Sequence, residues 1–292
     1  MTAWALVAAL LSGLAWAGLD VARKSLARDL AASVIATCLA LGVAVLFGVL
    51  AAVSSPTIDP SSYIAPAAVS VVLGVGIQLL IIESVRRSDL SRTIPLLSFT
   101  PVVTALFGMA VLREMPTAVQ WLGIVAVFLG ALGLGLSRGD DEPAGPRKLR
   151  SLLDTGGLLM LGAAVLISAA APFDKLAVSA STTLVHGFFL SLGSGLLLLG
   201  YLVLRGEATQ LGRAFRRRPL LVLAVVLSVA AVGFQFAAYR GAMVGAVETV
   251  KRVVGLASSV GAGYLVFRER VTPGKLVSVA VMGIGVALML LG

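Results

Sequence analysis

Residues 247–255 read VETVKRVVG and put Glu248, Lys251 and Arg252 at the start of a long apolar run. A charge near the centre of a membrane-crossing helix costs about 2.5–3.5 kcal/mol on insertion scales. On a helix, Glu248 shares a face with Lys251 three residues on and with Arg252 four residues on, so pairing offsets part of that cost. A plainer reading is interfacial. The stretch 248–267 is already long enough to cross, and Lys251 and Arg252 could snorkel to the surface. Two points weigh against it. Cations at a helix N-terminus oppose the macrodipole, which Glu248 suits. Thr93, Leu96 and Leu97 fill the matching places of an earlier, similar segment, so the fold does not need the charges. The three residues are therefore expected to line a polar cavity. A net positive cluster there would favour a carboxylate or phosphate on a substrate.

Other polar residues interrupt apolar runs in the same way. Gln78 and Gln235 lie deep in theirs, where an amide needs a hydrogen-bond partner. They are expected on opposite sides of the same cavity, with Trp16 and Tyr239 among the aromatic residues that could line it. Phe99, Phe234, Phe236 and Tyr264 are further aromatic candidates. Glu248 and the single histidine, His186, are the candidate proton carriers, Glu248 ahead of His186. Asp174 and Lys175 could pair with each other. Glu83 and Arg240 read as interface anchors. Pro95 and Pro101 lack backbone donors and are expected to loosen the helix that holds them. No zinc-ligand spacing, phosphate loop, nucleophile elbow or dinucleotide fingerprint is visible. An enzyme is not expected, nor is any cofactor or metal. Without a nucleotide site, the energy for any transport must come from a gradient or from the substrate's own concentration difference.

The elements that hold these residues follow from composition. Of 292 residues, 59% are hydrophobic and 13% charged, and mean hydropathy is +1.03. Soluble domains are nearer a quarter charged. A membrane span takes roughly 20 apolar residues. Ten such windows lie near 3–19, 31–53, 64–82, 94–112, 117–136, 152–171, 183–204, 219–238, 244–267 and 274–291. Their Gly, Ala, Leu and Val content and lack of alternation predict helices rather than a barrel. The first run lacks a basic leading region and reads as a retained span. Cys38 stands alone, so no disulfide framework exists.

The net charge of +9 is not a nucleic-acid signature, because no basic face or binding motif accompanies it. Of 23 Lys and Arg, 18 fall in the links after odd-numbered windows, counting Lys275 at the edge of the last window with the link before it. By the positive-inside rule those links are cytoplasmic and both termini are outside.

The polar stretch SRGDDEPAGPRKLRS divides the chain into halves of five windows each. The boundaries drawn are 1–137, a linker at 138–150, and 151–292. An odd number of spans per half inserts the second half upside down. Gly108, Arg113, Glu114 and Gly130 match Gly263, Arg268, Glu269 and Gly285 at one constant offset, and VGIQ (75–78) matches VGFQ (232–235). The expectation is an all-α integral membrane protein of ten transmembrane helices, arranged as two inverted five-helix repeats. Inverted repeats place a site near the midplane and allow rocking between two accessible states.

Residues 92–136 resemble the end of an EamA-type repeat of the drug/metabolite transporter superfamily. The resemblance rests on Pro95, Leu96, Pro101, Gly108, Glu114 and Pro116. The second half keeps Glu269 and Pro273 but has Val250 and Leu256 where the two earlier prolines would fall. FDKLAVSAST (173–182) is similar to the start of a second repeat. The resemblance implies ten spans and transport of a small metabolite, with proton-coupled export as the default. The function expected is a secondary transporter of small polar metabolites, amino acids or related carboxylates first, in a bacterial inner membrane. Its partners would be substrate, lipid and protons as coupling ion, and it would act as monomer or homodimer. One alternative is an exporter of amphipathic cations or lipid-like substrates, which needs a free acidic residue in the cavity. Another is a membrane scaffold or regulatory subunit without flux, in which every polar span residue is paired internally.

Overall fold

Apolar surroundings offer a backbone no hydrogen-bond partners, so a chain this rich in Ala, Leu and Val satisfies its N–H and C=O groups by coiling into helices. The computed structural model describes residues 1–54, 56–88, 93–136, 154–214, 218–267 and 273–292, and among them it contains helices and no strands. The longer helices are α1 (Ala3–Leu26), α2 (Ala32–Ala52), α3 (Pro60–Arg87), α4 (Thr100–Leu112), α5 (Ala118–Leu136), α6 (Thr155–Ser179), α7 (Thr183–Leu204), α8 (Arg218–Tyr239), α9 (Val244–Phe267) and α10 (Pro273–Leu291). A single helical turn, Leu211–Ala214, precedes α8. Each window expected from the sequence coincides with one of the ten. Six of them, α1, α2, α3, α6, α7 and α8, are long and apolar enough to cross a membrane. The linker at 138–150, positions 89–92 and 215–217 of the two basic links, Arg268 and Glu269, and the Tyr264 side chain lie outside the described residues.

Large apolar side chains face outward all round the bundle. Val21, Val45, Ile64, Leu122, Val222 and Ile284 are each more than half exposed. Water would not tolerate so much apolar surface on a monomer, whereas lipid would cover it. The chain is a multi-pass membrane protein.

Helices from the two halves of the chain pack pairwise. α1 lies on α8 and α3 on α6; α1 meets α9 and α6 meets α4; α2 pairs with α7, α4 with α9 and α5 with α10. Small residues make the closest seams. A Cβ added to Gly123 of α5 would sit 2.5 Å from the Gly285 carbonyl oxygen of α10. A Cβ on Gly13 of α1 would sit 2.8 Å from Val254 Cβ and 3.2 Å from Lys251 Cα of α9. That second approach carries α1 up against the charged turn of α9.

The two prolines expected to loosen the fourth span instead start helical segments. Ile94–Phe99 is a 3₁₀ turn with Pro95 in its first two positions, and Pro101 holds the same place in α4. Proline is well placed there, because the N–H it lacks would be unpaired anyway. The prolines inside described helices are Pro66 of α3 and Pro172 of α6, on two helices that pack together. α4 ends at Arg113, a left-handed residue (φ 57°) whose N–H bonds Gly108 O.

Helix ends are capped by side chains. Asp59 starts α3 by accepting from Ser61 N–H at 3.2 Å, and the Ser62 and Ser61 hydroxyls hold its carboxyl below the usual range. Its own N–H donates to Ala180 O at 2.8 Å and ties this end of α3 to the end of α6.

Candidate substrate cavity

The charged turn of α9 is held from its N-terminus. Val244, its first residue, donates its N–H to Glu114 Oε2 at 2.9 Å. Glu114 Oε1 takes the Lys175 ammonium of α6 at 2.5 Å, and the same ammonium donates to Ala242 O at 2.7 Å. A carboxylate at a helix N-terminus suits both the free N–H groups and the macrodipole. Glu114 thus joins the end of α4, the side of α6 and the start of α9.

One turn further along, the ionic groups form a closed network. Lys251 Nζ lies 2.6 Å from Glu248 Oε1 and 2.5 Å from Gln235 Oε1 of α8. Trp16 of α1 donates its indole N–H to the same Gln235 oxygen at 3.0 Å. Gln235 Nε2 donates to the Tyr239 hydroxyl at 3.0 Å, and Tyr239 donates on to Glu248 Oε1 at 2.9 Å. Glu248 is fully buried, so an unpaired charge there would be very costly. Lys251 and Tyr239 supply the compensation. Arg252, one turn on from Glu248, donates to Thr100 Oγ1 at 3.0 Å. Two buried atoms of the α9 cluster lack a hydrogen-bond partner, Glu248 Oε2 and Arg252 Nε.

These residues surround a partly open cavity of about 610 Å³. Trp16, Gln78, Gln235, Glu248, Lys251 and Arg252 all line it, and Tyr239 supports Glu248 and Gln235 from behind. Gln78 enters from α3 and makes no hydrogen bond among the described residues. Asp20, Arg23 and Asp174 complete the lining charges, three acidic and three basic among the described residues. Arg23 is only 4% exposed. It sits 3.6 Å from Asp20 Oδ1, with its guanidinium 5.3 Å from the Trp16 ring centre; the Lys251 ammonium is 5.7 Å from that centre. Two cations this close to an indole gain from its π face.

The family model described as the EamA-like transporter family matches residues 3–136. This segment belongs to the EamA-like transporter family, part of the drug/metabolite transporter superfamily. The EamA segment comprises α1 to α5 and supplies Trp16, Asp20, Arg23, Gln78 and Thr100 to the site. No curated protein matches the chain. Among solved structures, one described only as a crystal structure of a protein aligns over 100% of this chain and 98% of its own, at TM-score 0.71 and 14% identity. That likeness shows a shared fold.

Several positions differ from expectation. Arg23 belongs to a link read from the sequence as an interfacial topology signal, yet it is buried beside the cavity. Asp174 and Lys175 do not pair, because neighbouring residues on a helix point about 100° apart. Lys175 turns to Glu114, and Asp174 turns to His186 Nε2 of α7 at 3.4 Å. His186 is fully buried and does not line the cavity. Phe236 lines it, whereas Phe99 packs on Phe128 and Phe234 is 39% exposed on the outer face. Glu83 pairs with Arg86 and Arg87 at the end of α3, and Arg240 donates to Ser181 O.

Proposed function

We propose that this chain is a secondary active transporter, an exporter, of small polar metabolites such as amino acids or related carboxylates. The observation that carries this reading is the cavity. A bundle otherwise built of apolar side chains surrounds about 610 Å³ with three acidic and three basic groups. Equal numbers of both signs suit a zwitterion better than a simple anion, and Trp16, Ile77 and Leu97 supply apolar wall for a side chain. The cation-exporter alternative needs a free acidic residue in the cavity, and Glu248 is paired with Lys251 at 2.6 Å.

The mechanism we attach is alternating access between inverted repeats. α1–α5 form one repeat and α6–α10 the other. Helix pairing supports this division, since exchanging each helix for the one five places on turns α1·α8 into α6·α3 and α1·α9 into α6·α4, and both members of each exchange are present. Rocking of one half against the other would open the cavity to each side in turn. The membrane is the bacterial inner membrane, both termini lie outside, and protons are the coupling ion.

A thermal-shift screen of the detergent-purified protein tests the substrate class. Amino acids, organic acids, sugar phosphates and organic cations form the panel. A ligand confined to the folded state raises apparent stability, by about 2.7 kcal/mol at a hundredfold excess over Kd. Stabilisation by amino acids that is lost in Arg252→Ala supports the reading. Stabilisation by organic cations alone, lost in Glu248→Gln, overturns it.

A further inference from the structure

Glu248 Oε1 already takes a hydrogen bond from Tyr239 and an ion pair with Lys251. Those donors neutralise its charge without any proton. Asp174 differs. It lines the cavity at 8% exposure, and its sequence neighbour Lys175 is committed to Glu114 and Ala242. Among the described residues, the basic group within ion-pair distance of Asp174 is His186, at 3.4 Å.

His186 is fully buried in the first turns of α7 and uses both ring nitrogens. Nε2 faces Asp174 Oδ1, and Nδ1 lies 3.2 Å from the Tyr63 hydroxyl of α3. Phe236 of α8 stacks at 4.7 Å between ring centres. α2 brings Phe47 against neighbouring Gly187 and carries no charged residue. Asp174 and Tyr63 are thus the ionisable groups on the imidazole. Tyr239 of α8 and Lys251 of α9 act on Asp174 from further off. Next to Tyr63, Ser62 and Asp59 line an open groove of about 720 Å³ between the start of α3 and the end of α6.

We infer that the buried Asp174–His186 pair, reached from that groove through Tyr63, is the proton-binding site of this protein, in place of Glu248. The inference rests on the transporter reading above. In the unprotonated pair, Nε2–H donates to Asp174 and Nδ1 accepts from Tyr63. A proton arriving at Nδ1 makes the imidazolium, with an N–H on each nitrogen. Tyr63 then accepts through its oxygen and turns its own hydrogen away. The imidazolium offsets Asp174, so one proton removes one net negative charge from the cavity wall.

The single histidine makes the test direct. The full chain, labelled with ¹⁵N-histidine in lipid nanodiscs, gives one imidazole signal. The ring is followed from about pH 8 to pH 5, the range in which histidine switches charge, and the expected result is conversion of the neutral Nε2–H form to imidazolium on acidification. In Asp174→Asn, proton affinity should fall at least about tenfold, because the facing carboxylate is gone. A ring that stays neutral across this range, or one that titrates identically in Asp174→Asn, overturns the inference. A second readout separates it from the transporter reading. Proteoliposomes are given radiolabelled L-leucine under an imposed pH gradient. If the gradient drives wild-type flux and equally drives flux in folded His186→Gln, the proton site is elsewhere while transport stands. If wild type moves no L-leucine, that counts against the transport reading, and the imidazole titration still decides the proton site.

Discussion

Lys251 Nζ and Glu248 Oε1 lie 2.6 Å apart, three residues apart on α9, and the same ammonium reaches Gln235 on α8. This relationship turns a costly carboxylate into a fixed element of the cavity wall. It also makes the pair a unit, because removing one member strands the other in an apolar bundle.

Lys251→Ala is therefore expected to destabilise the protein by about 3–5 kcal/mol, the range for breaking a buried pair. Glu248→Gln combined with Lys251→Met should recover most of that loss, since neither side chain is then left as an unpaired charge. Apparent unfolding temperatures in detergent check this. A single variant as stable as wild type would mean the pair is not buried as described.

Glu114 should matter to folding more than its exposed-loop sequence context suggests. Glu114→Ala removes both the Lys175 ion pair and the acceptor at the α9 N-terminus. Loss of an N-terminal cap costs about 0.5–2 kcal/mol. Glu114→Gln keeps an acceptor for Val244 N–H and should fall between wild type and Glu114→Ala by the same thermal measurement. Equal stability of all three proteins would show that this brace contributes nothing.

How much of this was readable in advance depends on the residue. Glu248, Lys251, Trp16, Gln78 and Gln235 stood out because a polar group inside an apolar run needs a partner, and that need can be seen in one dimension. Arg23 carried the same need but sat at the end of a run, where depth in the bilayer cannot be told from sequence. Asp174 was assigned to its neighbour Lys175, although adjacent side chains on a helix diverge. Pro95 and Pro101 were placed inside a helix because the apolar run continued through them, while the backbone begins new segments there. The helices were legible because apolar runs mark them, six of them long and apolar enough to cross a membrane; which helix lies on which required the structure.

The α5–α10 seam leaves no room for a side chain at Gly123. Gly123→Leu should cost at least about 1–3 kcal/mol through overpacking. Gly255, which lines the cavity with nothing within 4 Å of a built Cβ, should accept alanine with little change in stability. Parallel melting curves check both, and a Gly123→Leu protein that melts with wild type would refute the close approach.

Orientation can be tested on a Cys38→Ala background. Thr57→Cys, at the start of α3, should react with an impermeant thiol reagent applied from the periplasm. Thr209→Cys, between α7 and α8, should resist it until the membrane is opened. The reverse pattern would invert the topology.

The central claim is that the cavity beside α9 binds a carboxylate-bearing small molecule and carries it across. Counterflow in proteoliposomes tests this most directly. Vesicles preloaded with an unlabelled amino acid are diluted into a trace of the same amino acid in radiolabelled form. The account predicts transient accumulation with wild type for at least one amino acid of the panel. It predicts loss of accumulation in Arg252→Ala protein that melts cooperatively, since the hydrogen-bond partner left behind, Thr100, is neutral. Accumulation no greater than in protein-free vesicles across the panel, or undiminished accumulation in Arg252→Ala, would contradict it.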